Sequence, residues 1–259
     1  MKPYVYIFPT ILFIILAISN LGYTATQDKP DQLYGKVLDN FVQEGLVDYS
    51  GLKSNPKDLN QYLEQTSGVT RETFEGWSKN EQLAFLINLY NAQTLDLIAD
   101  NYPVKSIKDI ASDSGGPWEQ PIVTLFGEQI TLDALENEVI RKNYTDPRVH
   151  FALVCAALGC PALINTPYQA AELEKQLDQQ TKAFLMDTDK NSIDTEQRIL
   201  RLSPIFDWFK EDFSAKSGSV LEFVNPYFGN QANNEYKIEY TNYDWSLNDQ
   251  TTMKRESIL

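Results

Sequence analysis

The chain has 259 residues, 42% of them hydrophobic, enough for one domain with a full core. Its formal net charge is −14. That sign excludes a nucleic-acid partner held through its phosphates, because such binding needs a basic patch.

The N-terminus reads as a secretory leader over residues 1–25. Lys2 supplies the positive start. Ile7 to Ile18 is apolar apart from Pro9 and Thr10, and small and polar residues follow to Ala25. This pattern predicts export to a periplasmic or extracellular space. An uncleaved N-terminal anchor is the alternative, although the run is shorter than the ~20 residues a spanning helix uses. No later stretch is apolar enough to span a membrane, so none is expected after removal of the leader.

Residues 26–34 are polar and read as a flexible lead-in. Leu33, Val37, Leu38 and Phe41 recur at helical spacing and predict a helix from Leu33 to Val47. Val47 to Leu52 reads as a short strand or turn. Asn55-Pro56 opens a helix with Leu59, Tyr62 and Leu63 inward, and Thr70 to Trp77 is short and amphipathic. Ser78 with Glu81 three residues on makes a capping box for a helix reaching Ala99. On it, Asn88 and Asn91 share a face among apolar neighbours. Buried amides need partners, so these two either satisfy loop backbone or contact a substrate.

Tyr102-Pro103 ends that helix, and Ser106 to Ile110 makes a helical turn. A glycine-rich loop then delivers Trp118 and Glu119. Ile122 to Leu132 reads as a hairpin around Gly127. A helix over Leu135–Tyr144 carries Glu136, Asn137 and Arg141. Asp146-Pro147 turns into an apolar run, Val149 to Cys155, that reads as a strand buried on both faces. A long helix over Leu163–Phe184 follows, then a hairpin within residues 191–202. Ser203 to Phe213 reads as an aromatic-rich core helix, and Val220 to Phe228 as a short helix and turn. Ile238 to Asn248 closes the domain, leaving residues 249–259 as a tail. The whole is an α+β fold, one mostly helical domain over residues 35–248 around a small mixed or antiparallel sheet.

Thiol and imidazole chemistry is confined to one place, because His150 is the only histidine and Cys155 and Cys160 the only cysteines. In a straight strand His150 and Cys155 face opposite sides, roughly 16 Å apart at about 3.3 Å per residue. Contact therefore requires a bulge or fold-back. The cysteines could be bridged, buried as free thiols, or reactive; a bridge needs Cα atoms about 4.4–6.8 Å apart.

Taken together the motifs resemble the family called domain of unknown function 547. The resemblance rests on Trp77-x-x-Asn80-x-x-x-Ala84-Phe85-x-Ile87-Asn88-x-Tyr90-Asn91-Ala92, on Tyr102-Pro103 with Ser106-Ile107, and on Leu132-Asp133-x-Leu135-Glu136-Asn137-x-x-x-Arg141. Asp146-Pro147-Arg148-Val149-His150-Phe151-Ala152-Leu153 with Cys155, Cys160-Pro161-x-Leu163 and Tyr243 to Asn248 complete it. More distantly the chain is similar to papain- or transglutaminase-like cysteine hydrolases. The resemblance implies a site with Glu136, Asn137, Arg148, His150, Cys155 and Cys160, lined by Asn88, Tyr90, Asn91, Trp118 and Glu119. Some relatives carry a histidine where this chain has Asn137.

Two functional expectations follow. In the first, a cysteine-dependent hydrolase or acyl transferase acts on a peptide or amide-type substrate, with Cys155 as nucleophile, His150 as base and Glu136 or Asn137 as orienter. In the second, a small-molecule or peptide ligand is bound without catalysis, with Asn88, Asn91, Glu119 and Arg148 as the polar end of the pocket. No metal and no cofactor is expected, because the cysteine and histidine spacing is not that of a zinc site.

Overall fold

The computed structural model describes residues 30–113 and 115–251. The leader expected over residues 1–25 lies outside the described residues, as do 26–29 and 252–259. No helix among the described residues is long and apolar enough to cross a membrane.

The fold is α+β and mostly helical, as expected. It is organised around helix α5 (Lys79–Asn101). Its N-terminus is closed by the capping box, with Ser78 N–H donating to Glu81 Oε2 at 2.8 Å and Glu81 N–H to Ser78 Oγ at 3.3 Å. Beyond its first turn α5 is buried almost all round, which is why its apolar stripe is broad rather than one-sided. Helices α2 (Tyr49–Ser54) and α3 (Lys57–Ser67) pack on it, and α1 (Pro30–Phe41) packs on α3. The main core gathers these helices with Val149, Leu153, Leu163 and Leu173.

A second core is rich in phenylalanine. Phe151, Phe184, Phe206, Phe213, Phe223 and Phe228 pack together. They lie with a three-stranded mixed sheet in which strand Ile199–Leu202 pairs antiparallel with Ser192–Asp194 and parallel with Lys237–Tyr240. Two further hairpins, Val42–Gln43 with Leu46–Val47 and Val123–Leu125 with Glu128–Ile130, are separate two-stranded ribbons.

Several elements differ from the sequence reading, each for a local reason. The first helix ends at Phe41 rather than Val47, because Glu44 (φ 52°) and Gly45 (φ 80°) form a two-residue hairpin turn. Gly45 also passes close to Ala162, where an added Cβ would stand 2.7 Å from the Ala162 side chain. The expected strand from Val149 to Cys155 is a 3-10 turn, Pro147–Phe151, followed by irregular chain. Asp146 caps this turn through the Arg148 N–H at 3.0 Å. Among the described residues no strand pairs with residues 152–154; the Asn91 side chain does so instead. Its amide donates to Ala152 O and accepts from Val154 N, both at 2.9 Å. An apolar run buried on every side reads alike whether its backbone is satisfied by a ladder or by one amide.

Asn88 acts in the same way one turn earlier, pairing with both Tyr168 N and Tyr168 O at 2.9 Å. With Pro167 beside it, this clamp keeps residues 163–170 out of helix, and the long helix begins only at Leu173 (Leu173–Leu185). The aromatic helix splits at Phe209 into Ile205–Trp208 and Lys210–Ser217. The helix carrying Glu136 is wound as a π-helix over Leu135–Ile140, between Leu132–Ala134 and Arg141–Asn143.

Candidate functional site

A cavity of about 260 Å³ opens where the two cores meet. Helix α5 supplies Tyr90, and a 3-10 turn, Pro117–Glu119, supplies Trp118 and Glu119. The π-helical segment supplies Glu136 and Asn137, with Asp133 just before it. Such wide turns are rare and often lie at functional sites, because one extra residue in the turn re-aims the side chains around it. His150 comes from the Asp146-capped turn, and Cys155, Cys160 and Pro161 from the loop that follows. Trp208, Phe209, Tyr243 and Trp245 add aromatic rings to the lining.

Glu136 is partly buried, and loss of hydration pushes its carboxyl up to about 7. Hydrogen bonding from Tyr90 and the charge of Arg141 act against that rise without cancelling it. Tyr90 in turn is hydrogen-bonded by Trp118, so the acid, the phenol and the indole form one chain of contacts.

His150 sits 4% exposed, with its ring stacked on Phe209 at 3.8 Å between centroids. Its Nε2 is 2.7 Å from Asp212 Oδ2. Asp212 is also gripped by Arg141, through Nε at 2.7 Å and a terminal nitrogen at 3.0 Å. The hydrogen bond from His150 and the Arg141 pair hold the Asp212 carboxyl well below the usual range. Burial pushes the His150 pKa down despite the neighbouring acid. The imidazole is therefore neutral at neutral pH. Its proton sits on Nε2, facing the carboxylate, and Nδ1 is left as an acceptor. Nδ1 is buried and meets no hydrogen-bond partner. Arg141 also donates to Asn137, whose amide donates to Asp133 at 2.8 Å.

Cys155 and Cys160 are joined as a disulfide with Cα atoms 6.2 Å apart. The Tyr243 hydroxyl lies 3.1 Å from Cys155 Sγ and 3.2 Å from Cys160 Sγ, and Cys155 N–H points at Cys160 Sγ from 2.8 Å. Of the alternatives open in the sequence, the bridge is the state found, and Cys155 carries no free thiol in it.

The structure thus brings Tyr90, Trp118, Glu119, Glu136, Asn137, His150, Cys155 and Cys160 to one cavity. Three other candidates are placed elsewhere. Asn88 and Asn91 are spent on loop backbone. Arg148 is held by Asp146, Glu174 and Asp178 at 2.6 Å each, so its fork is occupied by the chain's own carboxylates.

Residues 74–185 match the family model described as protein of unknown function, DUF547. No curated protein and no solved structure matches the chain. The DUF547 match contains the Glu136, His150 and disulfide side of the cavity. Trp208, Phe209, Asp212, Tyr243 and Trp245 all lie beyond it. Sequence reasoning passed over Asp212 and Trp208, which sit in a stretch read as core. The signal that could have found Asp212 was an acid at the position before Phe213, inside a run of aromatic residues. Among the described residues, no group of three or more His, Cys, Asp or Glu side chains is placed to hold a metal ion.

Proposed function

We propose that the cavity recognises a small molecule or the end of a peptide that carries both an apolar ring or chain and a polar head. The observation that carries this reading is Glu136, a carboxyl held near 7 inside an aromatic-walled cavity. At neutral pH such a group exists in both protonation states, so it can donate a hydrogen bond to the head group or accept one from it. Trp118, Trp208, Tyr243 and Trp245 offer the apolar part its contact area. Export fits this reading, since a disulfide persists in an oxidising compartment. The test is a melting-temperature screen of small acids, amines, amides and short peptides. A ligand that stabilises the wild type should lose its effect with Glu136→Gln and keep it with Arg148→Ala. If both variants respond as wild type does, Glu136 is not the recognition group.

A second reading is favoured by the unpartnered Nδ1 of His150. A cysteine-dependent hydrolase or acyl transferase would use Cys155 as nucleophile and Nδ1 as base, with Asp212 rather than Glu136 orienting the ring through Nε2. It requires the bridge to be open. Turnover of acyl esters or peptide amides by the reduced chain, lost in Cys155→Ala, would support it; an inactive reduced chain would count against it.

A further inference from the structure

The Cys155–Cys160 bridge lies in the wall of the cavity, with Cys155 only partly buried and Cys160 3% exposed. The loop it spans is held by other means. Leu158 N–H donates to Ser246 O and Gly159 N–H to Asp244 O, both at 2.8 Å. Asn248 N–H donates to Ala156 O at 3.1 Å, and Cys160 N–H to Ala157 O at 3.0 Å. Gly159 runs so close to the closing segment that an added Cβ would stand 2.9 Å from Asp244 N. The bridged positions are five apart in the chain, and a bridge that closes so short a loop stabilises a fold less than one that closes a long loop. The shape of the loop therefore does not depend on the bond between the sulfurs.

What surrounds the sulfurs suits exchange. Both cysteines line the cavity, and Cys155 is the more exposed of the two. Cys160 Sγ alone has the Cys155 N–H on it, and the Tyr243 hydroxyl lies within reach of both sulfurs, so a thiolate departing on Cys160 would meet two donors. We propose that this bridge is a reactive disulfide that exchanges with a small thiol entering the cavity. The thiolate of the entering molecule attacks Cys155 Sγ, having given its proton to water. A new S–S bond forms there, the Cys155–Cys160 bond breaks, and its electron pair leaves on Cys160 Sγ. That thiolate accepts the Cys155 N–H and the Tyr243 O–H, then takes a proton from water. A second thiol attacks the sulfur of the first and releases Cys155. The chain gains two electrons and two protons, and two small thiols become one disulfide. With the loop pinned, the two cysteines stay together and can close again. This activity does not depend on what the cavity recognises.

The experiment has two arms. In the first, the wild-type chain is incubated with millimolar glutathione in native buffer, then alkylated and weighed. Full reduction without denaturant is expected, with cooperative thermal unfolding retained. In the second, Cys160→Ser and Cys155→Ser are each incubated with oxidised glutathione. Cys160→Ser should take up one glutathione, on Cys155, at least ten times faster than Cys155→Ser takes one on Cys160. A bridge that opens only in denaturant, a reduced chain that unfolds, or faster capture on Cys160 would overturn the proposal. The first arm needs no substitution and decides the matter if either variant fails to fold. None of these results touches the recognition reading, which is tested at Glu136.

Discussion

Asp212 accepts from His150 Nε2 at Oδ2, 2.7 Å away, and from Arg141 at both of its oxygens, so one carboxylate orients the lone imidazole and neutralises the nearest cation. Asp212→Asn removes that charge while keeping the shape. Because the folded-state pKa of Asp212 lies below its unfolded value, its contribution is complete above about pH 4 and is lost as pH falls through the acid range. The variant should therefore lose stability at pH 7 and show a flatter acid limb than the wild type. Melting temperature against pH measures both; parallel curves would mean the pair contributes nothing to folding.

Glu136 carries the opposite sign. Its folded-state pKa is raised to about 7, so the folded chain keeps a proton that the unfolded chain loses from about pH 4 upward. Stability falls as pH rises through that window and levels off above 7. Glu136→Gln should be more stable than the wild type at pH 8, by on the order of 1–3 kcal/mol, and near equal at pH 4. Denaturant unfolding at the two pH values decides it, and an equal or lower stability at pH 8 would remove the basis for a raised carboxyl.

Asn91→Ala leaves Ala152 O and Val154 N without partners inside the core. The expected loss is about 2–4 kcal/mol, from two buried backbone groups unpaired together. Arg148→Ala, at the edge among three carboxylates, should cost about 1 kcal/mol. Urea midpoints of the two variants give the comparison, and a costlier Arg148 would reverse the ranking.

Trp208 is 49% exposed, yet its ring lies 4.8 Å from Tyr243 and 5.9 Å from Trp245 between centroids. Trp208→Ala should change stability by less than about 1 kcal/mol while weakening any ligand that Glu136 binds at least fivefold. Calorimetric titration with such a ligand provides the check, and unchanged affinity would take the aromatic wall out of recognition.

The sequence was most legible where the signal is local. Ser78 and Glu81 announced the start of α5, and the alternation around Gly127 announced the β3–β4 ribbon at Val123–Leu125 and Glu128–Ile130. It was least legible where a distant side chain substitutes for a ladder. Val149 to Cys155 has the composition of a strand, and only Asn91, more than fifty positions away, makes irregular backbone tenable there. His150, Cys155, Asn88 and Asn91 stood out as polar or reactive groups in apolar segments, whereas Glu136 and Cys160 were reached through the family resemblance. Asp212 did not stand out, because the aromatic residues beside it fill a core and made the whole stretch look like one.

The cavity is assembled from two stretches of the chain. The side bearing Glu136, His150 and the sulfurs falls within residues 74–185, whereas Trp208, Tyr243 and Trp245 arrive from the final third of the sequence. A protein truncated after residue 185 would leave its acid facing open water and its imidazole without Asp212.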